Sequence, residues 1–416
     1  MQALLRYIIK ATPVRRKPVI SYVLPVLCAT MLLQSVVYSK LSAQTLSPER
    51  LRQISFVLNR LDSQQTLATR DPVFLAGSYP SYIHHRKHFK KKKKDITVFF
   101  NILVDMTLKS VRPALPDSLQ IKIDTLLRRS AAIYPRFYNK ERGSYNFWLR
   151  DSAYRFPYSW WIPILKKDGA VPDDMDDTVL SRFAGTKDKK DSLELLHRRM
   201  QGFVHRPGKK LRTALKEYRH YPTYSTWFGK KFPVVLDAAV LSNILSFVGH
   251  YNLVWTRADS AALRFIVRTI RSGDYIERPL AVSPYYGQTA ILLYHYSRLM
   301  QQISQPVLDS LRPDLIEECH FILGSRKKAG LMEKVIAANA LIQLGAPAPV
   351  LPLPTPQDWT KKVEQSDFAY FIGNIPSYMS RGIQRVLNPV NGLMYYHYCP
   401  ALNDALVLQY LVTGGR

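Results

Sequence analysis

The chain has 416 residues, with 59 Lys and Arg against 31 Asp and Glu, and a formal charge of +28 at pH 7. A hydrophobic content of 47% excludes a disordered chain, and that length buries one large core or two ordinary ones. Three cysteines exclude a disulfide scaffold, and no Cys/His spacing suits zinc.

The positive balance points to anionic surroundings, such as nucleic acid, phospholipid headgroups, lipopolysaccharide or a phosphate-bearing substrate, or to a merely solvated basic surface. Arg15, Arg16 and Lys17 precede a mostly apolar run from Val19 to Val37 and a small-residue exit near Ala43 and Gln44. This order describes a removable export signal or a single membrane anchor over residues 1–44, which places the remainder outside the cytoplasm, periplasmic or anchored. Cys319 and Cys399 then remain, and one disulfide is open to them.

Helical periodicity dominates from there on. Ser47 caps and Pro48 opens a helix over 47–64. Further helices are expected over 95–111, 118–134, 190–203, 233–251, 259–272, 283–302, 307–324, 329–345 and 401–414. The segment from His84 to Asp95 is a basic loop between helices. Gly345 to Trp359 is proline-rich and reads as a strap over the surface rather than a linker. β-alternation is confined to "DFAYFIG" and "GLMYYHY". The pattern is all-α, one domain over 45–416. The helix holding Tyr285 and Tyr286 is apolar around most of its circumference, as are inner helices of a double-layered barrel or central helices of any large bundle.

One stretch departs from the basic background. "VPDDMDDTVLS" holds Asp173, Asp174, Asp176 and Asp177. Asp173 or Asp174 caps a helix starting near Asp176. Capping needs one carboxylate, and four repel one another unless hydrogen-bonded, protonated or bound to a cation such as calcium. Crowded carboxylates raise at least one pKa, the condition for an acid that keeps its proton near neutrality.

Asp174-Met175-Asp176-Asp177-Thr178 resembles the D-x-D-D-T acid motif of class II terpene cyclases. The resemblance implies an α/α toroid of helical hairpins, with Asp176 as proton donor and Asp174 and Asp177 as its supports. "ERGSYNFW", Glu141 to Trp148, and "NGLMYYHY", Asn391 to Tyr398, are similar to the Gly-aromatic turns of that fold. The implied ligand is a hydrophobic or isoprenoid small molecule, with no nucleic acid partner.

Other residues join the candidates. Asp237 lies in line with Leu241, Ile244 and Val248, on an inward face. It is either a second acid/base group or a helix-end carboxylate paired with Lys230, Lys231 or backbone amides. Tyr145, Trp148, Trp227, Tyr285 and Tyr286 are candidate substrate contacts, with Phe147, Trp160, Trp161 and Tyr224 nearby, because a carbocation needs aromatic faces. His295 can orient a polar group. Two other functions fit the same sequence: a polysaccharide hydrolase or lyase pairing Asp176 with Asp237, and an exported non-catalytic protein binding a cation or an envelope component.

Overall fold

A computed structural model describes residues 46–67, 71, 73–85, 92–149, 172–185, 189–206, 208, 211–230, 232–326, 328–366, 368–389 and 393–414. The expected leader, Trp160 and Trp161 lie outside the described residues. Ser47–Arg416 forms a compact unit of its own. Among the described residues no helix is long and apolar enough to cross a membrane.

Helices dominate, as the periodicity predicts, and among the described residues those of nine residues or more fall into two kinds. Five carry polar residues on one side: α1 (Pro48–Gln64), α3 (Asp117–Ala131), α5 (Lys190–Met200), α7 (Arg257–Arg271) and α9 (Arg312–His320). Six are buried on nearly every side: α2 (Val98–Val111), α4 (Met175–Ala184), α6 (Ala238–His250), α8 (Thr289–Gln302), α10 (Leu331–Gln343) and α11 (Pro400–Thr413). In α6 every residue from Ala238 to Val248 is buried, which only a helix enclosed by others achieves. The two kinds alternate along the chain from α1 to α10. The enclosed helices pack α2 on α4, α4 on α6, α6 on α8, α8 on α10, α10 on α11 and α11 on α2.

The proline-rich segment is a strap. It leads into a short helical stretch over Pro356–Trp359 and Thr360–Glu364 that packs on α11. Trp359 is buried and its Nε1 donates to Asp404 Oδ1 at 2.6 Å. Tyr410 binds the strap at both Pro349 and Leu351.

The all-α expectation needs correcting in part. A four-stranded antiparallel sheet runs in the order β2 (Lys93–Asp95), β1 (Ser81–His85), β6 (Met394–Tyr398), β5 (Phe371–Asn374). Strands β5 and β6 were legible in the sequence. The other two occupy both ends of the expected basic loop, where Ser81 faces Asp95 and Ile83 faces Lys93. A ribbon of β3 (Tyr138–Asn139) and β4 (Ser144–Tyr145) turns at Gly143, whose φ of +62° suits glycine. This ribbon is the first Gly-aromatic segment, and β6 holds most of the second. Cys319 and Cys399 are buried free thiols, so the disulfide does not form.

The sheet marks one end of the enclosed helices. Strand β2 leads into α2, and β6 leads into α11. Ile372 N of β5 donates to Tyr285 O, just before α8, at 2.9 Å. At the opposite end α6 and the end of α8 approach closely. A Cβ on Gly249 would lie 2.2 Å from Ile303 Cγ2 and 2.8 Å from Gln302 O. Gly249→Ala should therefore cost about 1–3 kcal/mol, read as a lower urea midpoint with an unchanged slope.

Candidate active site

Helix α4 begins where its sequence says it should. Asp174 is the N-cap, and its Oδ1 accepts from Asp176 N at 2.7 Å and Asp177 N at 3.3 Å. Its backbone sits between Tyr145 and Trp227 in extended bridges. Helix α6 repeats the device: Asp237 caps it by accepting from Ala239 N at 2.9 Å and Val240 N at 3.3 Å. Asp237 also accepts from Ser283 Oγ at 2.5 Å and Tyr285 N at 2.9 Å. It is thus the helix-end carboxylate on backbone amides; Lys230 is not among its partners, and Lys231 lies outside the described residues.

The four clustered aspartates separate into different environments. Asp173 turns away from the helix axis. It accepts a bidentate pair from Arg142, at 2.7 and 2.9 Å, and a bond from Ser144 Oγ at 2.6 Å. Burial opposes its charge, but those donors outweigh burial and hold the carboxyl below its usual range. Asp173 is thereby tied to the turn between β3 and β4.

Asp176 points inward. Asn243 Nδ2 donates to its Oδ1 at 2.6 Å and the Tyr286 hydroxyl donates to its Oδ2. Asp177 is 1% exposed, and neither of its oxygens has a hydrogen-bond partner among the described residues. An ionised carboxylate in that position would be very costly, so Asp177 holds its proton. Burial pushes Asp177 and Asp174 well above the usual carboxylate range, with the neighbouring carboxylates adding to the shift. Burial raises Asp176 too, but Tyr286, Asn243 and the charge of Arg298 oppose it. Asp176 is the one of the three whose rise is opposed by side-chain donors and a nearby cation, and the three do not ionise together. Burial pushes Asp237 up to about 7 against its four donors.

A second layer links this carboxyl to the interior. Arg298 Nη2 donates to Asn243 Oδ1, and His295 Nδ1 lies 2.9 Å from the same oxygen. Burial, then Arg298, keeps the imidazole neutral. His295 Nε2 lies 3.4 Å from the Tyr370 hydroxyl.

A cavity of about 660 Å³ runs between α2, α4, α6, α8, α10 and α11. Its apolar and aromatic walls include Leu103, Leu180, Phe183, Tyr294, Tyr370 and Leu406. Polar groups such as Lys109, Arg182, His250 and Arg298 interrupt them, and no Asp or Glu is among the described lining residues. Asp176 shares a helical face with Leu180 and Phe183, and Asn243 shares one with Ser246 and His250. The acid thus stands roughly one helical turn, about 5 Å, beyond the cavity's wall residues on the same axis.

The candidate substrate aromatics are placed otherwise than expected. None of Tyr145, Trp148, Trp227, Tyr285 and Tyr286 is among the described residues lining this cavity. Tyr145 packs on Tyr134 and Tyr138 in the ribbon. Trp148 Nε1 donates to Asp95 Oδ1 at 3.0 Å. Trp227 Nε1 donates to the Tyr285 hydroxyl at 2.9 Å, and Tyr285 stacks on Phe371. Only Tyr286 touches the acid. Tyr285 and Tyr286 precede α8 rather than belonging to it, so they carry no helical phase. Asn243, Arg298 and Tyr370 were missed. A lone amide in the apolar run "AVLSNILSFV" was the available signal for Asn243, whereas Tyr370 arrives from a distant segment just before β5.

No group of three His, Cys, Asp or Glu among the described residues is arranged to hold a metal ion. Calcium at the cluster therefore has no ligand set there. No protein-family model, curated protein or solved structure matches the chain.

The opposite surroundings of Asp173 and Asp177 separate in solution. Asp173→Asn should destabilise by about 1–3 kcal/mol, since it removes a buried charged acceptor from the exposed Arg142 and the buried Ser144. Asp177→Asn should stabilise at pH 7. The native state keeps the Asp177 proton while the unfolded chain releases it from about pH 3.8 upward, so this residue lowers stability as pH rises from there. Denaturant midpoints between pH 4 and 8 should show the wild type falling relative to Asp177→Asn.

Proposed function

We propose that this protein is an acid-initiated enzyme in which Asp176 protonates an apolar alkene, as the middle aspartate does in class II terpene cyclases. The observation that carries this reading is the buried Asp176 carboxyl with donors on both oxygens, on the same helix as Leu180 and Phe183 of a partly aromatic cavity wall. The Asp176 O–H bond breaks and a C–H bond forms at the alkene, whose electron pair takes up the proton. The carboxylate left behind accepts from Asn243 and Tyr286. Loss of a proton from the rearranged cation to that carboxylate restores the acid, so the product is an isomer of the substrate. Asp174 and Asp177 stay neutral and add no charge against proton release, which is the supporting role the motif implies.

The architecture we propose is an α/α toroid. Its support is the alternation of one-sided and enclosed helices together with the cyclic order of enclosed neighbours. The ligand class is a hydrophobic or isoprenoid molecule. The place of action is outside the cytoplasm, on the strength of residues 1–44, and the excess of cations suits an anionic membrane or envelope surface. The hydrolase reading loses ground because Asp237 is occupied by four donors and is not free to activate water.

Purified full-length protein should convert at least one linear isoprenoid, from a panel including squalene and geranylgeranyl diphosphate, into a cyclic isomer seen by mass spectrometry. Asp176→Asn keeps the shape and removes the acid. It should cut turnover by about 10²–10⁴-fold with the fold intact. A wild type that consumes none of the panel, or an Asp176→Asn variant as active as wild type, would overturn the reading.

A further inference from the structure

Arg298 stands apart from the other cations of the cavity. Lys109 Nζ is taken up by the Gly185 carbonyl near the ends of α2 and α4, and Arg182 donates to Gly143 O at 3.1 Å. Cations at helix C-termini commonly serve carbonyls in this way. Arg298 instead lies inside α8, half-buried, with its guanidinium carbon 5.6 Å from the Tyr294 ring centre. Among the described residues it makes no ion pair with a carboxylate. Its partners are the Asn243 amide oxygen and His295 Nδ1, the latter at 3.0 Å.

The Asn243 amide is polarised from both ends. A guanidinium can only donate, so the amide presents oxygen to Arg298 and NH₂ to Asp176. Positive charge at the oxygen makes the NH₂ a stronger donor to the carboxyl beyond it. Asp174, Asp176 and Asp177 come from α4 and its cap, and Asp237 and Asn243 from α6 and its cap. Tyr286 precedes α8, His295 and Arg298 lie on it, and Tyr370 precedes β5. From α2 the neighbour of Tyr286 is Phe99, which is uncharged. Arg298 is the fixed positive charge in that set.

We infer that Arg298 is a positioning residue that sets the acid strength of Asp176 through Asn243, favouring the carboxylate that proton donation creates. The inference rests on the reading of Asp176 as the proton donor, but its test does not need turnover. The infrared carbonyl band of a protonated carboxyl, isolated by subtracting the spectrum of Asp176→Asn, reports the Asp176 titration directly. Loss of a nearby positive charge makes the acid weaker, so the midpoint moves up. Arg298→Met and Arg298→Gln should each raise it by about one pH unit. Arg298→Lys should leave it nearer wild type. With a turned-over isoprenoid in hand, kcat should fall by about tenfold in both neutral variants while KM holds.

Arg298→Gln can still donate to Asn243. A midpoint that rises in Arg298→Met but stays at the wild-type value in Arg298→Gln would assign the effect to the hydrogen bond and overturn the role of charge. Unchanged midpoints in folded Arg298→Met and Arg298→Gln would overturn it entirely. Circular dichroism establishes folding in each case. Should Arg298→Met not fold, the comparison of Arg298→Gln with Arg298→Lys decides alone. A raised midpoint without any isoprenoid turnover supports the inference and counts only against the proposed reaction.

Discussion

A helix enclosed on every side has no water at its first turn, and its leading amides must find acceptors inside the protein. Much of the site follows from that constraint. At the starts of α4 and α6 the acceptors are the side-chain oxygens of Asp174 and Asp237. Both lie in the interior, where a carboxyl is costly, and both are retained because the amides would otherwise be orphaned. The positive ends of the two helix dipoles offset part of that cost. Two of the acidic residues are thereby explained by the fold itself. Asp176 and Asp177 are the carboxyls that enclosure does not require.

Electrostatics then divides the labour among residues of one chemical type. Asp173 has a guanidinium and a hydroxyl and stays charged. Asp177 has no donor and stays neutral. Asp176 has two donors and, beyond one of them, a fixed charge. Identical side chains within five positions thus span the range from an ordinary ion-pair partner to an acid poised to give up its proton. Spacing along the helix does this sorting, since α4 turns each successive carboxyl toward a different neighbour.

The sequence showed the helical content because apolar spacing is a local signal. It showed the cap at Asp174, the strap after Gly345 and the strands at β5 and β6 for the same reason. The strands β1 and β2 were hidden because the lysine run between them reads as solvated loop, and the pairing of β1 with β6 joins Tyr82 to Tyr398. Asp176 was found from its motif. Its partners came from elsewhere: Asn243 across α6, Tyr286 from a loop taken for helix, Arg298 one turn beyond a histidine that was noticed. Aromatic rings chosen for nearness in sequence proved to be wedges between strands and loops, because proximity along the chain does not fix which way a ring faces.

The packing of α11 carries a consequence for how the molecule assembles. Arg60 on α1 and Trp359 in the strap both bond to Asp404 on α11, and the first of these contacts joins residues 344 positions apart. Closing so long a loop is entropically expensive, and contacts of such separation are slow to form. The helices from α2 to α10 can meet their sequential neighbours early. The wall between α10 and α2 waits for α11. The cavity therefore gains its last wall, Leu402, Leu406 and Gln409, from the most distant part of the chain.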